Sequence, residues 1–395
     1  MTNHDVRANP PGAGEAFSII ATFPLMVIYA IGFMSATYMP LWVGAMATRY
    51  GVAVSRLGLA GSLELGAVAL ASILTAAFLD TRHLRWPIVL GLLISIAANL
   101  FAAVSPSVGL FTLARIAAGL ANGFLFADVN RRAAENAMPS RVFAGQLFVM
   151  VAFAVVFFAI APRLFASWGA GAAFFYSALA GVIALLSLPV LRTSRRTAAG
   201  QSTAAPIHIG LAAVLMLVAL TLLFVTMNSI WAYLSPAAAR AGVSLTVLST
   251  LLGVGAVLNL AAPVASGWLS GGRVSPSLAI TVGICTFGVC AFLIAGAGNA
   301  LLFTAGTLFL PFCLMFSVPF YLSLLVEFDA SGKCVATSAA FIMIGSAIGP
   351  SVGGIAMDHA GLTGLAVIGV ATTLLAVLIT WAGLARRTSP LSIAN

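Results

Sequence analysis

The feature that most constrains this chain is a succession of apolar runs of about 20 residues, separated by short turns rich in charge, proline or glycine. A run of that length crosses a hydrocarbon core of roughly 30 Å as a helix, and lipid offers unsatisfied backbone groups no alternative partner. The runs number about twelve: 18–46, 57–79, 87–104, 109–130, 142–162, 170–191, 208–234, 246–269, 275–296, 301–325, 335–356 and 362–385. Hydrophobic residues make up 62% of the chain and charged residues 7%, far below the roughly 25% charge of a soluble domain. The reading is an all-α polytopic membrane protein.

The formal charge of +9 would suggest nucleic acid in a soluble chain, but here the basic residues sit in short loops and report orientation instead. With a cytoplasmic N-terminus, thirteen fall in inside segments and four (Arg49, Arg56, Arg163, Arg240) in outside turns. Arg115 is the eighteenth and lies within an apolar run. Both termini are therefore expected in the cytoplasm, and no nucleic-acid partner is expected. Arginine outnumbers lysine seventeen to one in an alanine-rich chain, which points to a GC-rich bacterial genome, and the expected location of such a membrane protein is the bacterial inner membrane. The first apolar run is too long and too poorly flanked for a cleaved signal and is expected to remain as an anchor. Cys285, Cys290, Cys313 and Cys334 lack metal-type spacing, so neither a metal nor a cofactor is called for.

The candidate chemistry centres on 110–132, LFTLARIAAGLANGFLFADVNRR. An arginine at membrane depth is costly and normally faces a protein interior or a wet cavity. Arg115, Gly119, Asn122 and Phe126 recur at i, i+4, i+7 and i+11, one helical face, which reads as one wall of a substrate path. Glu64, in GLAGSLELGAV of the second run, lies on the order of 12 Å below its outer turn; Arg115 lies roughly 10 Å below Pro106. Their similar depths predict a carboxylate–guanidinium pair. Two roles stay open: Glu64 takes and releases a proton while Arg115 competes for it or binds an anionic solute, or the pair is a static bridge between helices two and four. Without a second deep acid, a proton-independent facilitator also stays open.

The longest polar interruption, 191–206 (LRTSRRTAAGQSTAAP), divides the runs six and six. It predicts bundles at 1–191 and 208–395 joined by a cytoplasmic linker at 192–207. AAFLDTRHLR after the second run and GWLSGGR after the eighth occupy matching places, a faint internal repeat.

This organisation, with its charged turns after helices two and eight and an arginine four residues before a glycine in helix four (Arg115, Gly119), resembles the major facilitator superfamily over essentially the whole chain. Asp80 and Arg85 match the family's first turn motif, but Ala76 and His83 replace its glycines; Gly267, Leu269, Gly272 and Arg273 match the second. The resemblance implies a conformational latch in which Asp80 meets the start of helix eleven near 336–338 and Asp128 pairs with Arg82 or Arg85, although such a cluster could also simply cap helix ends. It also implies a cavity lined by helices one, four, seven and ten. Tyr29, Phe33, Asn228 and Trp231 would face it, as would Phe312 and Phe316 beside Pro311, with Asn259 of helix eight as a further polar candidate. Trp231 and Tyr233 could instead be interfacial anchors. A monomer is the form the family implies. GSAIGPSVGG in helix eleven reads as a close-packing seam.

No HExxH, intramembrane aspartate pair or phosphate-binding glycine loop occurs, which argues against an enzyme. A non-transporting sensor or scaffold would need no charged pair in the membrane. The expectation is a secondary transporter of a small organic solute, proton-coupled and favouring export; the runner-up is uptake or facilitated diffusion of an organic anion at Arg115.

Overall fold

The computed structural model describes residues 18–78, 86–136, 138–191, 210–270, 274–296, 298–328 and 333–387, and all regular structure in them is helical. The first group of helices is α1 (Ile19–Tyr50), α2 (Val54–Phe78), α3 (Trp86–Val104), α4 (Val108–Ala134), α5 (Pro139–Trp168) and α6 (Ala172–Ser187). The second is α7 (Leu211–Ala232), the short α8 (Leu234–Arg240), α9 (Leu245–Asn259), α10 (Ala261–Ser270), α11 (Pro276–Ala295), α12 (Ala300–Phe328) and α13 (Lys333–Arg387). Ten continuous helical stretches among the described residues are long and apolar enough to cross a membrane. Two of them, Pro139–Val190 at 52 residues and Thr337–Arg386 at 50, are more than twice the roughly 20 residues one crossing needs. Each is broken at a glycine with positive φ, a conformation that costs glycine little: Gly169 (φ 64°) and Gly361 (φ 57°).

The ends follow ordinary capping chemistry. Ser18, Ser107, Ser244 and Ser275 each accept a backbone N–H from the first turn of the helix they precede. Gly51 closes α1 in the left-handed region. Next to it, Arg49 donates to the carbonyls of Ala103 and Ser105, tying the end of α1 to the end of α3. The polar stretch 192–207 lies outside the described residues, as do Asp80, Arg82 and Arg85.

Lipid supplies no hydrophobic drive between helices, so close backbone contact carries much of their association. Small-residue seams provide it at two places. On α4, a Cβ at Gly119 or Gly123 would collide with the Glu64 or Val68 carbonyl of α2. On α13, Gly349 and Gly353 press against α7, where an added Cβ would come 2.8 Å from Val225 O and 2.7 Å from Ser229 O. The second seam is the GSAIGPSVGG stretch, and Ser229 Oγ reinforces it by donating to Gly349 O at 2.6 Å.

Contacts between the first group (α1–α6) and the second (α7–α13) gather toward the end where α1 stops and α2 starts. Trp231 donates its indole N–H to Ala36 O at 3.1 Å, Ser235 Oγ donates to Pro40 O, and Ser351 N donates to Ser62 Oγ at 2.9 Å. Gly58 leaves room there for the hydroxyl of Tyr233, which donates to Pro350 O at 2.7 Å.

Candidate functional site

Two features stand out inside the helices: a buried polar network within the first group and a cavity between the groups.

The network starts at Arg115 on α4, which is 0% exposed. Its Nε donates to Glu64 Oε2 at 3.0 Å, its Nη2 to Glu64 Oε1, and its Nη1 to Asn99 Oδ1 at 2.9 Å. The guanidinium also lies 4.8 Å from the ring centre of Phe174 on α6, a cation–π contact. Ser35 of α1 donates to Glu64 Oε2 at 2.7 Å. Asn99 Nδ2 donates to Ser95 O at 2.8 Å, and Ser95 Oγ donates to Asn122 Oδ1 at 2.7 Å. Five helices thus converge on one ion pair. A buried charge is tolerated when it is paired and its remaining valences are filled, and this arrangement meets both conditions. The glycine seam makes it possible, because Gly119 brings the α4 backbone against the Glu64 carbonyl one turn from Arg115.

The cavity, of ≈ 280 Å³, is bounded by α1, α2, α5, α7, α9, α12 and α13. Its wall is mainly apolar, and none of its lining side chains is charged. The polar groups on it are few: Thr37, Asn228, the indole of Trp231, Asn259, Thr307 and Ser346. Asn259 Oδ1 and Thr307 Oγ1 are buried with no hydrogen-bond partner.

The residues singled out from sequence divide between these features. Phe33, Asn228, Trp231 and Asn259 line the cavity. Tyr29 stands beside it, in an aromatic triad with Phe33 (5.3 Å between ring centres) and Phe126 (5.5 Å). Glu64, Arg115 and Asn122 belong to the network and do not reach the cavity surface. The face of α4 expected to form a wall of the path is instead turned into the first bundle, because Arg115 satisfies its charge on α2 and α3. The network nevertheless lies one residue behind the cavity, since Ala36, Thr37 and Leu65, the sequence neighbours of Ser35 and Glu64, form part of the wall.

Phe312 and Phe316 are not among the residues lining this cavity. Their rings stack on each other at 6.5 Å, and Phe316 packs near Gly283 of α11 and against Phe320. The opposite side of α12, with Thr307, Pro311, Leu314 and Met315, faces the cavity. Tyr233 is fully buried between α2 and α13 and is no interfacial anchor; Trp231 likewise points inward. Asp128 is buried and accepts from Arg132 Nε at 2.7 Å, one turn along α4. Its expected pairing with Arg82 or Arg85, and the Asp80 contact, lie outside the described residues.

Sequence reading missed Ser35, Ser95, Asn99 and Phe174 in the network and Thr307 in the cavity. Asn99 had the same signal as Asn122, an amide inside an apolar run, whereas the serines, Thr307 and Phe174 are unexceptional in a membrane helix.

A family model described as the Major Facilitator Superfamily matches residues 24–332. No curated protein sequence matches the chain. Among solved structures, the chain is similar to a bacterial homolog of the human lysosomal transporter Spinster in an inward-facing, unoccupied conformation (TM-score 0.71, 13% identity, covering 95% of this chain and 98% of that one). It is also similar to a mutant of the nucleoside transporter NupG (0.68, 13%, 92% and 99%) and to a D-xylose–proton symporter (0.67, 14%, 91% and 97%). Helical architecture, buried ion pair, inter-bundle cavity and family match together lead to one conclusion: this multi-pass membrane chain belongs to the Major Facilitator Superfamily and is a transporter, not an enzyme.

Proposed function

We propose that the protein is a proton-coupled secondary transporter that moves a small organic solute, with export the favoured direction, by alternating access at the cavity between α1–α6 and α7–α13. The observation that carries this reading is the bidentate Glu64–Arg115 pair, buried in the first bundle one residue behind the cavity wall. Ionisable side chains at membrane depth mark proton and ion paths, and this carboxylate lies beside the solute space. A shift of Ala36, Thr37 or Leu65 as solute binds is transmitted directly to Ser35 and Glu64, which gives solute and proton a shared element to bias.

Twelve crossings follow if the breaks at Gly169 and Gly361 are reversals and α9 with α10 forms one span. The working unit is then a monomer with both termini cytoplasmic, in a bacterial inner membrane. Residues 1–191 rock against 208–395 through the linker at 192–207, and Asp80, Arg82, Arg85 and Asp128 act as a latch at the inner face. In this frame the gathered contacts of Trp231, Ser235, Tyr233 and Ser351 close the outer side. The likeness to the inward-facing Spinster homolog supports the same orientation. The anion-uptake reading gains no support, since Arg115 commits all three guanidinium nitrogens to Glu64 and Asn99.

The test is solute-driven proton flux in proteoliposomes, wild type against Glu64→Gln, across organic amines, sugars and organic acids. Flux with one class, lost in the variant while solute binding persists, is expected. Solute movement without proton flux, unchanged by the substitution, would make this a facilitator and Glu64 a structural partner.

A further inference from the structure

Seven prolines lie in the interior of the continuous helical spans, past the first turn and before the last: Pro24, Pro40, Pro162, Pro263 (within Leu245–Ser270, the span that α9 and α10 form together), Pro311, Pro319 and Pro350. A helical proline gives no N–H to the carbonyl four residues earlier, so each frees one main-chain acceptor. The residues carrying those carbonyls are Ile20, Ala36, Phe158, Asn259, Thr307, Met315 and Ser346. All but Ile20 line the cavity. With 21 lining residues in a chain of 395, random placement would bring fewer than one of the seven there.

The six residues come from α1, α5, α9, α12 and α13, so the positions that proline frees are spread around the space rather than marking one kink. One shows what such a group does: Ala36 O, released by Pro40, is taken up by the indole N–H of Trp231 at 3.1 Å. Among the described residues, no side chain donates to the other five. At two of these positions the side chain adds a second acceptor, because Asn259 Oδ1 and Thr307 Oγ1 are also buried without a partner. Thr307 is 2% exposed. Asn259 stands where the helix breaks between α9 and α10, the kind of discontinuity at which transporter helices present backbone groups to a ligand.

We propose that these prolines make the cavity an acceptor-lined pocket, and that the solute presents N–H or O–H donors on an apolar body and carries no carboxylate. The apolar wall takes the body of the solute, and the carbonyl dipoles, with Asn259 Oδ1 and Thr307 Oγ1, take its head group. An anion would meet the freed carbonyl oxygens with no cation to offset them, since no lining side chain is charged. This proposal rests on the cavity being the solute site of the transporter described above, but its test needs neither transport nor proton coupling.

Equilibrium binding of phenethylamine, phenethyl alcohol and phenylacetate is measured by calorimetry on the full-length protein in nanodiscs. The three probes share a phenethyl-type body and differ in head group. At least one of the amine and the alcohol is expected to bind, with phenylacetate at least about tenfold weaker; which donor binds separates a cationic from a neutral solute. Asn259→Leu and Thr307→Val should each weaken donor binding about fivefold, the scale of one lost hydrogen bond. Pro311→Ala should do the same while removing no polar atom from the cavity, because it restores an N–H partner to the Thr307 carbonyl. That variant also repairs a helix hydrogen bond, so an unchanged or raised melting temperature separates lost binding from lost fold. Phenylacetate binding as tightly as the donors, donor binding untouched in Pro311→Ala, or no binding of any probe at millimolar concentration would each overturn the proposal. A carboxylate transported with proton coupling would overturn it too, while leaving the secondary-transport reading intact.

Discussion

Arg115 of α4 grips both carboxylate oxygens of Glu64 of α2, with Nε 3.0 Å from Oε2 and Nη2 on Oε1, in a site closed to solvent and lipid. Taking two charges out of water costs several kcal/mol per ion, and this geometry, with Asn99 and Ser35 filling the remaining valences, offsets it. Loss of one partner is therefore far worse than loss of both. Arg115→Gln alone should destabilise the protein by about 3–5 kcal/mol, and the Glu64→Gln/Arg115→Gln double variant by much less than the sum of the singles. SDS titration of the purified protein measures this. Additive effects would mean the two side chains are energetically independent.

Arg115→Lys preserves the charge but not the fork. A lysine ammonium is a point charge and cannot span both Glu64 oxygens while also reaching Asn99. The variant is expected to melt lower than wild type in detergent by several degrees, yet higher than Arg115→Gln. Equal melting of the lysine and glutamine variants would show that the charge itself contributes little.

The α2–α4 seam has no slack at Gly119, where an added methyl would run into the Glu64 carbonyl. Gly119→Ala should cost about 1–3 kcal/mol by forcing the helices apart. Gly66→Ala, on α2 with open space around it, should be neutral or slightly stabilising through helix propensity. Comparable losses from both would indicate a general intolerance of alanine in these helices rather than a contact at Gly119.

The hydrogen bond from Ser351 N to Ser62 Oγ, 2.9 Å, brings α13 and α2 to disulfide range toward the end where α1 stops and α2 starts. With the four native cysteines replaced by alanine, Ser62→Cys/Ser351→Cys should cross-link under mild oxidant. Uptake into proteoliposomes should then stop and return with reductant. Full transport by the cross-linked protein would mean that this end never opens.

Gln146 is 1% exposed on α5, and neither polar atom of its amide has a partner among the described residues. It stands one turn from Met150, a lining residue, on the same face of the helix. Burying an amide without a hydrogen bond costs about 1–3 kcal/mol, so Gln146→Leu should raise the melting temperature. A gain in stability together with lost transport would show that the amide finds its partner in another conformation; a destabilised variant would mean that the side chain is satisfied in this one.

The apolar segments were largely legible in the sequence, since the described helices cover the expected runs, although 142–162 with 170–191 and 335–356 with 362–385 each fall in one continuous helical stretch broken at a glycine. The same logic marked Glu64 and Arg115, because a charge inside an apolar run is conspicuous against lipid. It failed at rotational setting. Phe312 and Phe316 stack on neighbouring rings of their own helix, with Phe316 beside Gly283 of α11, rather than in the cavity lining, and Arg115 closes on Glu64 and Asn99 rather than on a substrate path. A membrane helix that is apolar on every side does not announce which face meets protein.

The sequence by itself determined that the chain crosses a membrane many times, which segments do so, and which two side chains must find each other there, because the penalty for a bare charge or an unpaired backbone in hydrocarbon can be read locally. Only the tertiary structure decided which faces meet, that the ion pair lies one residue behind the cavity rather than in it, and that six residues standing four before a helical proline, on five helices, line one space. Those outcomes depend on close approach between segments far apart in sequence, set by where glycine seams let backbones touch, and hydropathy carries no record of that.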